Sequence, residues 1–189
     1  LGAPFLYVKL LIQKSSQAVD AGTTEIWGNL SADADLFAFA WDGGFFSAST
    51  NNAGTSFDTQ LFLFDSAGFG IAGADGTGFL TLPSTLSISD LAAGEYFLGI
   101  SDWDNDPVSV GGEIFTDEFV SQQTPTGPGG GSPLTSWDGR NANAFDGYQI
   151  VLSSATGGDE VASTPEPAAL LGLISIASIG FSAKRKQRS

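Results

Sequence analysis

The stretch Phe57-Asp58-Thr59-Gln60-Leu61-Phe62-Leu63-Phe64-Asp65 decides the fold class. Successive side chains of a strand point to opposite faces. Leu61 and Leu63 therefore belong to one face, and Phe62 and Phe64 to the other. Both faces are apolar, as expected of a central strand lying between two covered layers. Asp and Gly punctuation bounds the run, and no helical period continues it.

The neighbouring segments repeat this grammar. Asp35–Trp41 alternates, with Phe37, Phe39 and Trp41 on one face and Ala38 and Ala40 on the other. Further strands are expected at Thr24–Leu30, Phe45–Thr50, Gln60–Asp65, Phe79–Leu82, Leu86–Ile88, Glu95–Ser101 and Tyr148–Ser153. The expected fold is all-β, a jelly-roll-like β-sandwich of about eight strands, with a single hydrophobic helix at the C-terminus. Two segments, Asp102–Gly112 and Thr124–Arg140, hold too much Pro, Gly and Asp for ladder pairing and are expected as long loops. Gly129-Gly130-Gly131 is not a phosphate loop, because no Gly-Lys-Ser/Thr ending and no helix follow it.

Composition removes whole classes of chemistry. The chain has no Cys and no His, so disulfides, thiolate nucleophiles, imidazole bases and zinc fingers are excluded. It also has no Met, so Leu1 is expected to be the edge of a fragment or of a processed chain. Charge is segregated. Residues 15–167 carry all 21 acids and one base, Arg140, whereas residues 168–189 carry only the bases Lys184, Arg185, Lys186 and Arg188. An acidic body repels nucleic acid and anionic membranes, and suits cations or neutral partners such as sugars. Apolar content of 42% is enough for a core, so disorder is not expected.

Four regions follow: 1–19, an N-terminal segment that could be the remnant of a signal; 20–155, the sandwich; 156–164, a small polar linker; and 165–189. The last begins with Pro165-Glu166-Pro167, continues through the uncharged run 168–183, and ends in the basic cluster. As a helix that run is about 24 Å long, short for a span unless the flanking Lys and Arg snorkel. Basic residues directly after it predict a cytoplasmic C-terminus and an external acidic body.

These three parts in order resemble the PEP-CTERM sorting signal of Gram-negative bacteria. The resemblance implies an exosortase as processing partner, cleavage near Pro165-Glu166-Pro167, transient inner-membrane anchoring, and release to the cell surface or exterior. It also implies an association with exopolysaccharide and biofilm. The body is similar to bacterial pre-peptidase C-terminal (PPC) domains in Asp33–Phe39, Phe57–Asp65 and Gly94–Ile100. The continuation Asp104-Asn105-Asp106-Pro107, Gly111–Phe115, Gly127–Gly130 and Ser136-Trp137 looks like a stand-alone PEP-CTERM subgroup. That family implies a β-sandwich without catalysis, and Ca²⁺ in some members.

Three sets of residues are candidate sites. Asp102, Asp104, Asn105 and Asp106, joined by Asp75, supply hard oxygen donors suited to Ca²⁺, or else form a solvated turn. Asp33 and Asp35 pose the same choice. Of the four tryptophans, Trp27, Trp41, Trp103 and Trp137, the loop pair Trp103 and Trp137 could stack on sugar rings, or else anchor loops; Trp41 continues the Phe37/Phe39 face and reads as core. No motif selects a pair of carboxylates for glycoside hydrolysis. The leading expectation is a non-enzymatic exported protein. An extracellular carbohydrate-binding module, with or without Ca²⁺, is the alternative, and a secreted hydrolase the distant one.

Overall fold

A computed structural model describes residues 16–20, 22–30, 34–50, 54–55, 57–76, 83–116, 122–139 and 147–154. The chain parts into two units, Leu1–Ala155 and Thr156–Ser189, and every described residue lies in the first. The expected strand Phe79–Leu82, Asp33, Arg140, the linker and the whole sorting segment lie outside the described residues. Among the described residues no helix is long and apolar enough to cross a membrane.

The described residues are all-β. In chain order the strands are β1 (Gln17–Ala18), β2 (Glu25–Asn29), β3 (Ala34–Trp41), β4 (Gly44–Ser49), β5 (Thr59–Asp65), β6 (Gly70–Asp75), β7 (Thr85–Leu91), β8 (Gly94–Asp102), β9 (Pro107–Ser109), β10 (Gly112–Glu113), β11 (Leu134–Trp137) and β12 (Gly147–Ser154). One sheet has the order β1-β3-β8-β5-β6, a second β2-β12-β4-β7, and a third, small one β10-β9-β11. From β2 to β5 the chain alternates between the first two sheets, so neighbours in sequence face each other across the core, as in a jelly roll.

The core between these two sheets is built by the alternation seen in the sequence. Phe37 and Phe39 of β3, Leu61 and Leu63 of β5, and Leu98 and Ile100 of β8 meet Ile26, Phe46, Ala48, Leu86, Tyr148 and Ile150 of the facing sheet. Phe39 stacks on Phe46 at 5.3 Å, and Trp41 meets the same ring edge-on at 5.2 Å. Each such buried aromatic contributes through area removed from water and through ring geometry.

Two polar ties cross this core. The Tyr148 hydroxyl donates to Asp35 Oδ2 at 2.6 Å, joining β12 to β3. A Cβ on Gly28 would collide with that phenol, so glycine makes the room. Burial first, then the Asp35 carboxylate, raises the Tyr148 pKa. Asp35 is thus an inter-sheet acceptor. At another point Thr50, Thr59 and Ser84 form a buried hydroxyl cluster: Thr50 Oγ1 lies 2.6 Å from Thr59 Oγ1, and Ser84 N–H donates to Thr50 Oγ1 at 2.9 Å.

The outer face of the first sheet is covered too. Phe62, Phe64, Leu36 and Phe97 pack under Ile114, Phe115 and Leu134. The covering arm, residues 107–116 and 122–137, overlaps the two expected loops, Asp102–Gly112 and Thr124–Arg140, and here the structure corrects the sequence reading. β9, β10 and β11 do pair. Pro107 is tolerated because it opens its strand, where its carbonyl accepts from Ile114 N–H at 3.0 Å. The glycines serve close packing. A Cβ on Gly127, Gly129 or Gly130 would run into the backbone of Glu113, Gly112 or Pro125. The arm also bridges the edge strand β6, where Gly73 and Gln123 exchange both backbone hydrogen bonds.

Candidate functional site

The acidic loop leaves the end of β8. Side-chain alternation divides its carboxylates before any ligand is considered. On β5 and β8 the outer face carries Gln60 and Ser101, cross-strand partners, while Thr59 stands opposite Asp102. Gln60 also pairs with Asp75, the last residue of β6. Gln60 is the hinge of an outer-face polar row: its Oε1 accepts from Ser101 Oγ at 3.2 Å, and its Nε2 donates to Asp106 Oδ1 at 3.2 Å. Gln60, Ser101, Asp106 and Asp75 are all buried.

The remaining contacts bind the loop to the arm. Asp106 N–H donates to Asp138 Oδ1 at 3.2 Å, Asp138 N–H to Asp106 O at 3.0 Å, and Gly139 N–H to the buried Asn105 Oδ1 at 2.9 Å. Asp102 Oδ1 accepts from Trp103 N–H at 3.0 Å, and the same N–H reaches Asp58 O at 3.0 Å. Asp104 sits at φ 56°, a left-handed conformation that Asp tolerates in turns.

Three of the five Ca²⁺ candidates can be placed by face. Asp106 and Asp75 flank Gln60 on the outer face, whereas Asp102 lies on the Thr59 side near Asp58. Among the described residues no three acidic side chains converge on one point. Oxygens of the loop accept from backbone N–H groups of its own turn and of the arm. Asp65 is used in the same way, its Oδ1 accepting from Ala67 and Phe69 N–H at 2.8 and 3.0 Å.

Asp58 was not singled out by sequence reasoning, since nothing local distinguishes it. Burial, and then the neighbouring Asp102 charge, hold its pKa above the ordinary carboxylate value. Gln60, by contrast, was detectable: it is the polar member of the Phe62/Phe64 face.

The tryptophans are also sorted by the fold. Trp137 lies over Gly99, where a Cβ would come within 3.0 Å of its ring, and its centroid is 5.5 Å from Phe62. It packs the outer layer. Trp41 packs against the core, as its face implied. Trp103 is 43% exposed and Trp27 64%.

No family model matches the chain, and no curated protein matches it. Among solved structures it is similar to the pre-peptidase C-terminal domain of collagenase from Bacillus anthracis. The identity is 12% and the TM-score 0.40, over 73% of this chain and 96% of that one. The class defined by the strand pairing is an all-β sandwich whose first sheet is covered on both faces.

Proposed function

We propose that this is a non-enzymatic, exported cell-surface or extracellular-matrix protein. The sandwich, which we read as PPC-like, is the cargo, and residues 165–189 are a PEP-CTERM address read by an exosortase. One observation carries the reading: Pro165-Glu166-Pro167, the uncharged run 168–183 and the basic cluster Lys184–Arg188 follow one another in that order. Basic residues resist export across the inner membrane, while the acidic body faces no such bias. The residue supply agrees: without Cys or His, the commonest nucleophile-base pairs cannot be assembled.

Co-expression of the full chain with an exosortase tests the sorting step. The product outside the cell should lack Lys184–Arg188 by intact-mass measurement. Glu166→Ala should leave unprocessed chain in the inner-membrane fraction. An exported product that still carries the basic cluster would contradict the proposal.

A further inference from the structure

We propose that the outer face of the four-stranded sheet, at Trp27, is a binding platform for a neutral pyranose of a polysaccharide. β2 alternates Glu25, Trp27 and Asn29 outward with Ile26 inward. Trp27 is the most exposed tryptophan of the described residues, yet its ring is held on two sides. Its Nε1–H donates to Glu25 Oε2 at 3.3 Å. On the other side stands Gly54, where a Cβ would lie 2.9 Å from Trp27 Cζ3 and 2.9 Å from Gln149 Cβ. Thr55 fastens that segment to β12, accepting from Gln149 N–H at 3.2 Å and donating to Gln149 O at 3.3 Å. An exposed ring fixed in this way loses little freedom when a ligand settles on it.

The surroundings select the ligand. Gln149 stands directly opposite Trp27 in the ladder, and Gly147 opposite Asn29. The Asn29 carboxamide lines the approach to the indole, while Gly54 and Gly147 keep it low, leaving an open trough of about 340 Å³. An indole face attracts the C–H face of a pyranose, and carboxamides can donate to and accept from its hydroxyls. A wholly apolar ligand would need an enclosed pocket, and a quaternary ammonium a cage of several rings. Anionic sugars are disfavoured by Glu25 and by a body whose one base is Arg140. This platform is independent of the sorting reading and lies away from Trp137.

The full 189-residue chain should be titrated with cellohexaose, maltohexaose and mannohexaose as neutral probes, and with an alginate hexamer as the anionic one. At least one neutral probe should bind, and should still bind at about 0.5 M NaCl, where charge attraction is screened. Trp27→Ala should weaken that binding by about tenfold or more, and Trp103→Ala should leave it unchanged. In the unsubstituted chain the bound sugar should shield Trp27, not Trp103, from oxidation by N-bromosuccinimide, a readout that needs no variant to fold. Binding by none of the neutral probes, equal binding by Trp27→Ala, stronger binding of alginate, or an unshielded Trp27 would each overturn the proposal.

Discussion

The two faces of the five-stranded sheet are both buried, but by different means. The inner face meets a regular sheet, side chain against side chain, with Phe39 on Phe46 as its centre. The outer face meets an arm of short strands and turns, in which glycine brings backbone against backbone and a few large residues, Phe115, Ile114 and Trp137, fill the remainder. Side-chain packing leaves a period in the sequence. Backbone packing leaves only a composition, rich in Gly and Pro, which resembles that of a loop.

The comparison predicts two kinds of failure. The largest loss is expected on the inner face. Phe46→Ala removes a fully buried ring from between Phe39 and Trp41, and should cost about 4 kcal/mol, read as one cooperative shift in urea unfolding.

Gly129→Ala tests the outer face. Its new methyl would run into Gly112 O and Ser109 Oγ and should cost about 3 kcal/mol. Here the loss should be local, with limited proteolysis opening the arm within 107–137 before the sandwich melts. If Gly129→Ala instead lowers the whole transition as Phe46→Ala does, the two faces form one cooperative unit and the distinction fails.

Tyr148→Phe sharpens the inner side further. It deletes the phenol that donates to Asp35 while keeping the ring, and should cost about 1.5 kcal/mol in chemical denaturation. A loss equal to that of Phe46→Ala would mean that the inter-sheet hydrogen bond, and not the packed rings, holds the inner face.

The smallest effect has the opposite sign. Because the folded-state pKa of Asp58 is raised, folding favours its protonated form. The resulting penalty is absent below the unfolded value of 3.8 and sets in as pH rises through the folded value. Asp58→Asn should therefore raise the melting midpoint near pH 7 by about 1 °C, a modest figure because solvent screens the partly exposed carboxyl. The gain should vanish near pH 3. A gain that persists there would assign the effect to something other than charge.

Much of the sandwich was legible in the sequence. Leu61-Phe62-Leu63-Phe64 announced a strand covered on both faces, and Phe37, Phe39 and Trp41 announced one core face. Several strands were not legible. β6, Gly70–Asp75, carries two glycines and two alanines and gives no alternating signal, although Ala72 and Ala74 are buried. β9 to β11 were hidden by the Pro and Gly that their close packing requires. The candidate acidic site was half legible. The cluster at 102–106 was visible as composition, but the division of its carboxylates between two faces depends on Gln60, Asp58 and Asp138, far away in sequence.

The sequence alone determined what short-range geometry encodes: an all-β body from period-two alternation, the chemistries removed by the absence of Cys and His, and the ordered composition of residues 165–189. Only the tertiary structure decided which polar and aromatic groups meet. It packed Trp137 over Gly99, left Trp27 in water and set Asp106 against Gln60. The reason is physical. Alternation follows from the backbone of a single strand, whereas exposure and contact depend on which distant segment arrives to cover a face.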